Sequence, residues 1–390
     1  MHLPFGTISI TQKAKDLVNE ALDSGRVSNG KYVKQFEERF ADIVGTKEAV
    51  AVSTGTDADM IMLSELYDFG AKRGDEIIIP ALSFVATGNA VLHAGFTPVF
   101  IDVDRETYNI DASKIEQVIT EKTRAIMPVH LMGKPADMAA IWEIAKKHNL
   151  RVFEDAAEAH GAMYKGKHVG SIGDMGAFST YVAHLVSSVE GGMVTTNNSE
   201  FADIARALRN HGKFCHCQVC SSNAKFGHCK NRFVFSRIGY SAKMNDLEAA
   251  VGLGSLDLYE EVLEKRRKNL LSLMEKFQQF ELHLTTFKEE EHERIGPHAF
   301  PFIVAENAPF TRNELYEYIE EKGIDARQLF SSMPTQCKGF EFLGHKLGEF
   351  PNAEFIGNNG LHIGVHQDIT EEHIDYFIKT IKEFLAERTK

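Results

Sequence analysis

The chain has 390 residues, 43% of them hydrophobic and 25% charged, and its formal net charge is −12. This length can bury a large core, whereas an acidic chain without a run of lysine or arginine lacks the basic surface that nucleic acids and anionic membranes bind. No apolar run reaches transmembrane length and the first residues lack a signal pattern, so we expect a cytoplasmic protein that binds neither nucleic acid nor membrane.

Residues 1–155 alternate between helical and strand-like patterns. Two amphipathic segments, 11–24 and 31–44, have the apolar spacing of helices. The strand-like runs that follow are 49–52, 76–80, 98–103, 124–130 and 151–155, and the helical segments between them are 58–68, a stretch ending near 93, 111–120 and 137–148. This alternation predicts an α/β fold with a mainly parallel sheet that is covered on both faces.

The pattern changes after residue 255. A long charged helix is expected at about 256–278. The later strand-like segments lie near 281–286 and at 298–304 and 361–366, and the helical segments lie at 311–322 and 370–387. We therefore predict a large domain, 1–255, which includes a cysteine-rich loop at 212–233, and a smaller C-terminal α+β domain, 256–390.

Small hydroxyl-bearing residues connect the first predicted strand to the helix after it, at residues 53–57 with the sequence STGTD. Such a turn can bind an anion, because free N–H groups and the positive end of the helix dipole face the ligand. The alternative is a capped helix without a ligand. Thr56, Phe84 and Asp155 all follow strand ends, and ligands of parallel sheets lie beyond the carboxyl ends of the strands. These residues could therefore converge.

Three segments carry motifs. Residues 174–196 contain His184 and a Glu-Gly-Gly turn at 190–192, residues 154–161 read EDAAEAHG, and residues 239–246 read GYSAKMND. Together these motifs resemble the DegT/DnrJ/EryC1/StrS sugar aminotransferase family of fold-type I pyridoxal-phosphate enzymes. The resemblance covers nearly the whole chain. It implies an aminotransferase-like fold, in which a large domain with a mainly parallel seven-stranded sheet carries a smaller C-terminal α+β domain.

The resemblance also assigns residues to the cofactor, pyridoxal or pyridoxamine 5′-phosphate. By resemblance, Asp155 faces the pyridine nitrogen, Phe84 stacks on the ring, and Glu158 lies near the ring hydroxyl, where the family usually has glutamine. The residues at the phosphate-binding positions are Gly55, Thr56, Asp57 and Ser179. Ser241 stands where the family has an asparagine that reaches the phosphate of the partner subunit. The resemblance therefore implies a homodimer in which this contact is weakened or remade.

His184 stands six residues before Glu190, where the family usually has the lysine that binds the cofactor covalently. An imidazole cannot form that bond, but it can carry a proton near neutral pH. In one branch of the family histidine replaces the lysine. These members are 3-dehydratases of nucleotide-linked 4-keto-6-deoxy sugars, which hold pyridoxamine phosphate without a covalent anchor and use the histidine as a base. The alternative is a degenerate aminotransferase in which His184 has no role, although residues 174–196 contain no lysine.

Four of the five cysteines lie within 15 residues, namely Cys215, Cys217, Cys220 and Cys229. Their spacing, C-x-C-x2-C-x8-C, suits one metal centre, either zinc or an iron–sulfur cluster, whereas a redox pair would use only two of them. One group of the histidine-type dehydratases resembles this pattern and carries a 2Fe–2S cluster. A further ligand of that group falls at Ala157 here, so Cys220 would have to replace it. Such a cluster implies a reductase partner as electron donor.

Three functions are compatible with these patterns. The first is a dehydratase that removes the C3 hydroxyl of a nucleotide-linked 4-keto-6-deoxy sugar, with His184 as base and an iron–sulfur cluster for electron transfer. The second is a pyridoxal-phosphate-dependent sugar aminotransferase with a structural metal site. The third is a non-catalytic regulator that binds a cofactor or a nucleotide sugar. Asp155 and the phosphate loop argue against loss of the cofactor, so we favour the first.

Overall fold

The computed structural model describes residues 1–213 and 233–388. Within these ranges the α-helices are α1 (Gln12–Asp23), α2 (Lys31–Val44), α3 (Gly55–Ser64), α4 (Val85–Ala94), α5 (Met138–His148), α6 (Ser199–Leu208), α7 (Asp246–Asp257), α8 (Tyr259–Phe277), α9 (Arg312–Glu321), α10 (Met333–Gln336), α11 (Pro351–Asn359) and α12 (Glu371–Arg388). None of the described helices combines the length and the apolar character needed to cross a membrane.

The strands of the described residues form three sheets. They are β1 (Glu48–Val52), β2 (Glu76–Pro80), β3 (Thr97–Ile101), β4 (Thr123–Ile126), β5 (Arg151–Asp155), β6 (Met163–Tyr164), β7 (Lys167–His168), β8 (Met175–Ser179), β9 (Gly192–Thr196), β10 (Leu284–Thr285), β11 (Glu293–Arg294), β12 (Ala299–Val304), β13 (Ala326–Gln328) and β14 (Gly360–Gly364).

The large sheet has seven strands in the order β1-β9-β8-β5-β4-β2-β3. Strand β9 is antiparallel to both of its neighbours, and the pairs β8–β5, β5–β4, β4–β2 and β2–β3 are parallel. The carboxyl ends of β1, β2, β5 and β8 therefore lie at one edge of the sheet, and β9 begins there. This arrangement confirms the predicted mainly parallel seven-stranded sheet.

Two hydrophobic cores cover the two faces of this sheet. Along β1, Val50 and Val52 enter one core while Ala49 and Ala51 enter the other. Because both faces are buried, every residue of such a strand tends to be apolar, which is why the strands appear in the sequence as continuous apolar runs. The first core continues into the C-terminal part of the chain, where it includes Phe300.

The C-terminal part contains a four-stranded antiparallel sheet in the order β10-β12-β14-β13. Helices α8 and α12 pack against it through Phe277 and Phe377, whose rings contact those of Phe300 and Phe302 at centroid distances of 5.0–6.4 Å. A small third sheet, β11-β6-β7, pairs this part of the chain with the segment after β5. The division into two domains near residue 255 stays a prediction.

Several predicted elements wind or end differently in the structure. The segment predicted as a helix at 111–120 is a 3-10 helix, Ala112–Val118. The long helix expected at 256–278 is the end of α7 followed by α8, with a break at Leu258. The strand predicted at 124–130 ends at Ile126, although Val129 still bridges to Asp155 of β5.

Candidate active site

The residues predicted to bind phosphate meet where β1 and β8 end. Gly55 begins α3 soon after β1, and Ser179 is the last residue of β8. A Cβ atom on Gly55 would lie 2.8 Å from the Cβ atom of Ser179, so a larger residue at position 55 would force the two segments apart. Gly192 of β9 approaches the same loop, because a Cβ atom there would lie 2.1 Å from the carbonyl oxygen of Thr54. The loop is therefore built by close backbone approach.

Thr54 caps α3, and Asp57 belongs to the same turn. Thr54 Oγ1 accepts a hydrogen bond from the backbone N–H of Asp57 at 3.0 Å. The carboxylate of Asp57 accepts hydrogen bonds from the hydroxyls of Ser53 and Thr54 at 2.6 and 3.0 Å. The side chains of Ser53, Thr54 and Asp57 thus form a helix cap, which was the alternative to an anion site. The N–H groups of Gly55 and Thr56 still lie at the positive end of the helix, so the cap and an anion site are compatible.

Asp155 ends β5 and is buried at this edge. Its Oδ2 accepts a hydrogen bond from Thr87 Oγ1 at 2.7 Å, and its Oδ1 accepts one from the backbone N–H of Ala157 at 3.2 Å. Ser83 in turn hydrogen-bonds Thr87 at 2.8 Å. Burial raises the pKa of Asp155, while the hydrogen bonds from Thr87 and from the N–H of Ala157 oppose the rise. The carboxyl is therefore held in a fixed orientation and would gain from a nearby cation.

Phe84 lies immediately before α4 and is the N-cap residue of that helix. Its side chain is unusual for a phenylalanine at a sheet edge, because 56% of its surface is exposed. The ring contacts that of Phe330 at a centroid distance of 5.5 Å and an interplanar angle of 51°. An exposed aromatic face of this kind can stack on a planar ligand.

His184 follows β8, and its ring contacts three others. The centroid distances are 5.1 Å to His298, 6.1 Å to His160 and 6.4 Å to Tyr181. The Nδ1 atom is buried and finds no hydrogen-bond partner among the described residues. Burial, with smaller contributions from His160 and Arg266, lowers the pKa of His184 to about 3. The imidazole is therefore neutral at physiological pH, and the neutral form is the one that can accept a proton.

His298 is a site residue that the sequence analysis did not single out. It precedes β12, and its Nε2 lies 3.6 Å from Oε1 of Glu158. The other carboxyl oxygen of Glu158 accepts the backbone N–H of Met132 at 2.8 Å. Burial raises the pKa of Glu158 to about 8, the Met132 hydrogen bond opposes this rise, and Asp155 adds to it. In the sequence, a histidine beside an apolar run could not be distinguished from an ordinary core position.

The remaining predicted positions do not join this cluster in the described part of the chain. Ser241 is exposed and bridges to Asn210. The predicted metal ligands Cys215, Cys217, Cys220 and Cys229 lie outside the described residues. Within 1–213 and 233–388, no group of three or more His, Cys, Asp or Glu side chains could hold a metal ion. The metal centre therefore stays a prediction.

Comparison with known proteins matches residues 9–382 to the DegT/DnrJ/EryC1/StrS aminotransferase family. GDP-perosamine synthase from Escherichia coli O157:H7 is 34% identical over 99% of this chain and 100% of its own length. GDP-4-keto-6-deoxy-D-mannose 3-dehydratase from Yersinia pseudotuberculosis is 32% identical over 98% of this chain and 99% of its own.

The fold agrees with these sequence matches. The solved structure of Escherichia coli GDP-4-keto-6-deoxy-D-mannose-3-dehydratase with bound hydrated PLP has a TM-score of 0.88 at 29% identity, covering 97% of this chain and 99% of that one. The match therefore extends over sequence, fold and almost the full length. This chain belongs to the DegT/DnrJ/EryC1/StrS aminotransferase family.

Proposed function

We propose that this protein is a dehydratase that removes the C3 hydroxyl group of a nucleotide-linked 4-keto-6-deoxy sugar, with pyridoxal or pyridoxamine 5′-phosphate as cofactor and His184 as base. The observation that carries the proposal is the state of His184, which is neutral and has a buried Nδ1 without a partner among the described residues. It stands where aminotransferases of this family have a lysine. A histidine there can move a proton but cannot bind the cofactor covalently.

The side chains at the sheet edge fit a cofactor of this type. Gly55 packs so closely on Ser179 that the hydroxyl of Ser179 lies beside the start of α3, where the first N–H groups of a helix can bind phosphate. Phe84 offers an exposed ring face, and Asp155 offers a buried carboxyl that is oriented by Thr87. Because burial disfavours the charged form of Asp155, a protonated pyridine nitrogen is the kind of partner that this carboxyl lacks.

Each of these residues has a distinct task in the proposed reaction. When bound, the cofactor supplies an electron sink for the reacting carbon. Asp155 keeps a proton at the pyridine nitrogen, and the Glu158 carboxyl, protonated at neutral pH, can donate a hydrogen bond as a glutamine would. His184 would accept the proton that is lost from C4′ of the cofactor, and this proton balances the hydroxide that leaves C3 of the sugar, so that water is released. Phe84 covers one face of the bound ring and limits the access of water to it.

A sugar aminotransferase is the second candidate, because the relatives include GDP-perosamine synthases. That activity needs an amine at the position of His184 to anchor the cofactor, and residues 174–196 contain no lysine. Relatives named as 3-dehydratases have similar identity and coverage. The side chain at position 184 therefore favours dehydration, and the names of both groups of relatives support a nucleotide sugar as substrate.

Covalent trapping tests the unanchored cofactor. The purified protein is incubated with pyridoxal phosphate, treated with borohydride, digested and analysed by mass spectrometry. We expect the cofactor to bind reversibly and to leave no modified lysine. Recovery of the reduced cofactor on a lysine peptide would overturn the proposal in favour of the aminotransferase.

We also propose that Cys215, Cys217, Cys220 and Cys229 bind an iron–sulfur cluster that accepts electrons from a reductase, and that the protein is a homodimer. The support for the cluster is the cysteine spacing and the 31-residue distance from His184 to Cys215. Metal analysis and a visible spectrum of anaerobically purified protein should show iron, sulfide and bands that dithionite bleaches. Zinc without iron would exclude the cluster.

Light scattering measures the oligomeric state of the protein and tests the proposed homodimer.

A further inference from the structure

The side chains of His184, His298 and Glu158, here called the base cluster, lie in a continuous row. The rings of His184 and His298 are 5.1 Å apart and tilted by 32°, a separation found for interacting rings. His298 Nε2 is 3.6 Å from Glu158 Oε1, which is too long for a hydrogen bond but within ion-pair distance. His298 thus stands between the proposed base and a carboxyl group.

The other rings beside His184 are farther away or already bonded. His160 Nε2 donates a hydrogen bond to the carbonyl oxygen of Ser179 at 2.8 Å, which fixes its tautomer and orientation. Tyr181 meets His184 edge-on at 6.4 Å. Glu158 is the one described acid within ion-pair distance of either ring of the His184–His298 pair. A charge change at Glu158 therefore reaches His184 most directly through His298.

The charges around the base cluster disfavour extra protons. Arg266 of α8 is buried and lowers the pKa of both His184 and His298. His362 of β14 also lowers the pKa of His298, and His160 lowers that of both imidazoles. The acids that face these groups are Asp155, beside Glu158, and Asp368, beside Arg266. A proton gained by one member of the cluster must therefore be compensated within it.

We propose that His298 is a positioning residue that couples the base, His184, to Glu158, so that a proton gained by one member of the cluster is offset by a proton lost from another. The inference rests on the proposed function only for the role of His184 as base. A proton on His184 favours release of the Glu158 proton to solvent, since the carboxylate then offsets the new positive charge. Conversely, ionised Glu158 favours a proton on His298. The buried net charge of the cluster then stays constant while His184 works.

Histidine NMR in the protein without added cofactor tests the coupling. The protein is labelled with carbon-13 in its histidine rings, and the signals of His184 and His298 are assigned from their loss in single variants. We expect both signals to change with a common midpoint at about pH 8, the pKa of Glu158. In Glu158→Gln both changes should disappear. Flat signals in the parent, or changes that persist in Glu158→Gln, would overturn the proposal.

A second pair of variants separates coupling from packing. In His298→Asn and His298→Gln, the His184 signal should lose its change near pH 8 while Glu158 is still present. His283→Asn is the matched control, because His283 also has a buried Nδ1 without a described partner and does not contact the cluster. It should leave the His184 titration as in the parent. A His184 midpoint that survives both His298 variants would contradict the coupling, and circular dichroism verifies that each variant is folded.

The outcome is independent of the proposed activity. A protein that shows the common midpoint but removes no C3 hydroxyl would refute the function and leave the coupling intact. A working dehydratase without the common midpoint would refute the coupling alone.

Discussion

His184 differs from a lysine in what it can do beyond the end of β8. A lysine amine can form a Schiff base with a carbonyl group, whereas an imidazole cannot form that bond but can accept and donate a proton. The surroundings of His184 suit the second task, because the ring is neutral and packed against His298 and His160. Its buried Nδ1 has no described partner, so the ring is not held by a structural hydrogen bond at that atom.

Changing His184 to lysine should replace proton transfer at this position by covalent binding of the cofactor. We expect His184→Lys to bind pyridoxal phosphate covalently, as measured by mass spectrometry after borohydride reduction. Removal of the base should slow dehydration by on the order of 100-fold. His184→Asn is the matched control and should lose dehydration without gaining the covalent bond. A His184→Lys enzyme that dehydrates as fast as the parent would show that His184 is not the base.

Most residues of the candidate site were predicted from local sequence motifs. Asp155, Phe84 and Ser179 each lie in or beside a strand end, and strand ends are recognisable from apolar runs. The contact between His298 and Glu158 could not be predicted in this way, because it joins two distant parts of the chain. The raised pKa of Glu158 likewise depends on burial by residues that are remote in sequence.

Among the elements, β9 and α3 illustrate how closely the strands approach the phosphate loop. The start of β9 touches the turn before α3 so tightly that a Cβ atom on Gly192 would lie 2.1 Å from Thr54 O. The neighbour is backbone, which cannot rotate away as a side chain can. The geometry of the loop and the pairing of β9 therefore depend on each other.

Substituting Gly192 should disturb both the phosphate loop and the pairing of β9. We expect Gly192→Ala to lower the free energy of unfolding by about 2–3 kcal/mol and to weaken phosphate binding, because β9 must shift away from the loop. Urea unfolding measures the first effect and cofactor titration the second. Gly339→Ala is the matched control, since a Cβ atom there meets nothing within 4 Å. Equal stability of the two variants would contradict this account of the loop.

Two elements that the sequence did not predict correctly differ from the prediction for separate physical reasons. Helix α7 buries residues on several sides, including Ala249, Gly252 and Leu253, so its sequence lacks the polar face that reveals a surface helix. The segment Ala112–Val118 winds as a 3-10 helix, which has a different period from an α-helix. Strands buried on both faces were easier to recognise, because each is a short continuous apolar run.

For the whole molecule, the C-terminal part contributes residues to the candidate active site. His298 precedes β12, Arg266 belongs to α8 and His362 belongs to β14. Arg266 lowers the pKa of His184 and of His298, and His362 lowers the pKa of His298. The sheet edge supplies the residues that fit the cofactor, whereas the C-terminal part supplies the electrostatic setting of the base.

Stability should depend on pH through Glu158. Its pKa is raised from 4.5 to about 8, so the folded protein keeps a proton that the unfolded chain releases. The free energy of unfolding then falls as the pH rises between these two values. Glu158→Gln should lose this contribution and gain on the order of 3 kcal/mol relative to the parent from about pH 5 to about pH 8.

Denaturant unfolding at the two pH values measures this difference. Glu321→Gln, at an exposed position of α9, is the control and should follow the parent at both. If Glu158→Gln and the parent lose stability in parallel as the pH rises, Glu158 is not the buried acid described here.

The most direct test of the central claim is the mass of the reaction product. The protein is incubated with pyridoxamine phosphate, a nucleotide-linked 4-keto-6-deoxy sugar and a reductase as electron donor, with glutamate withheld, and the sugar is analysed by mass spectrometry and NMR. We predict a product that has lost the C3 hydroxyl while its C4 carries no nitrogen. A 4-amino sugar that retains its C3 hydroxyl would contradict the account and identify the protein as an aminotransferase.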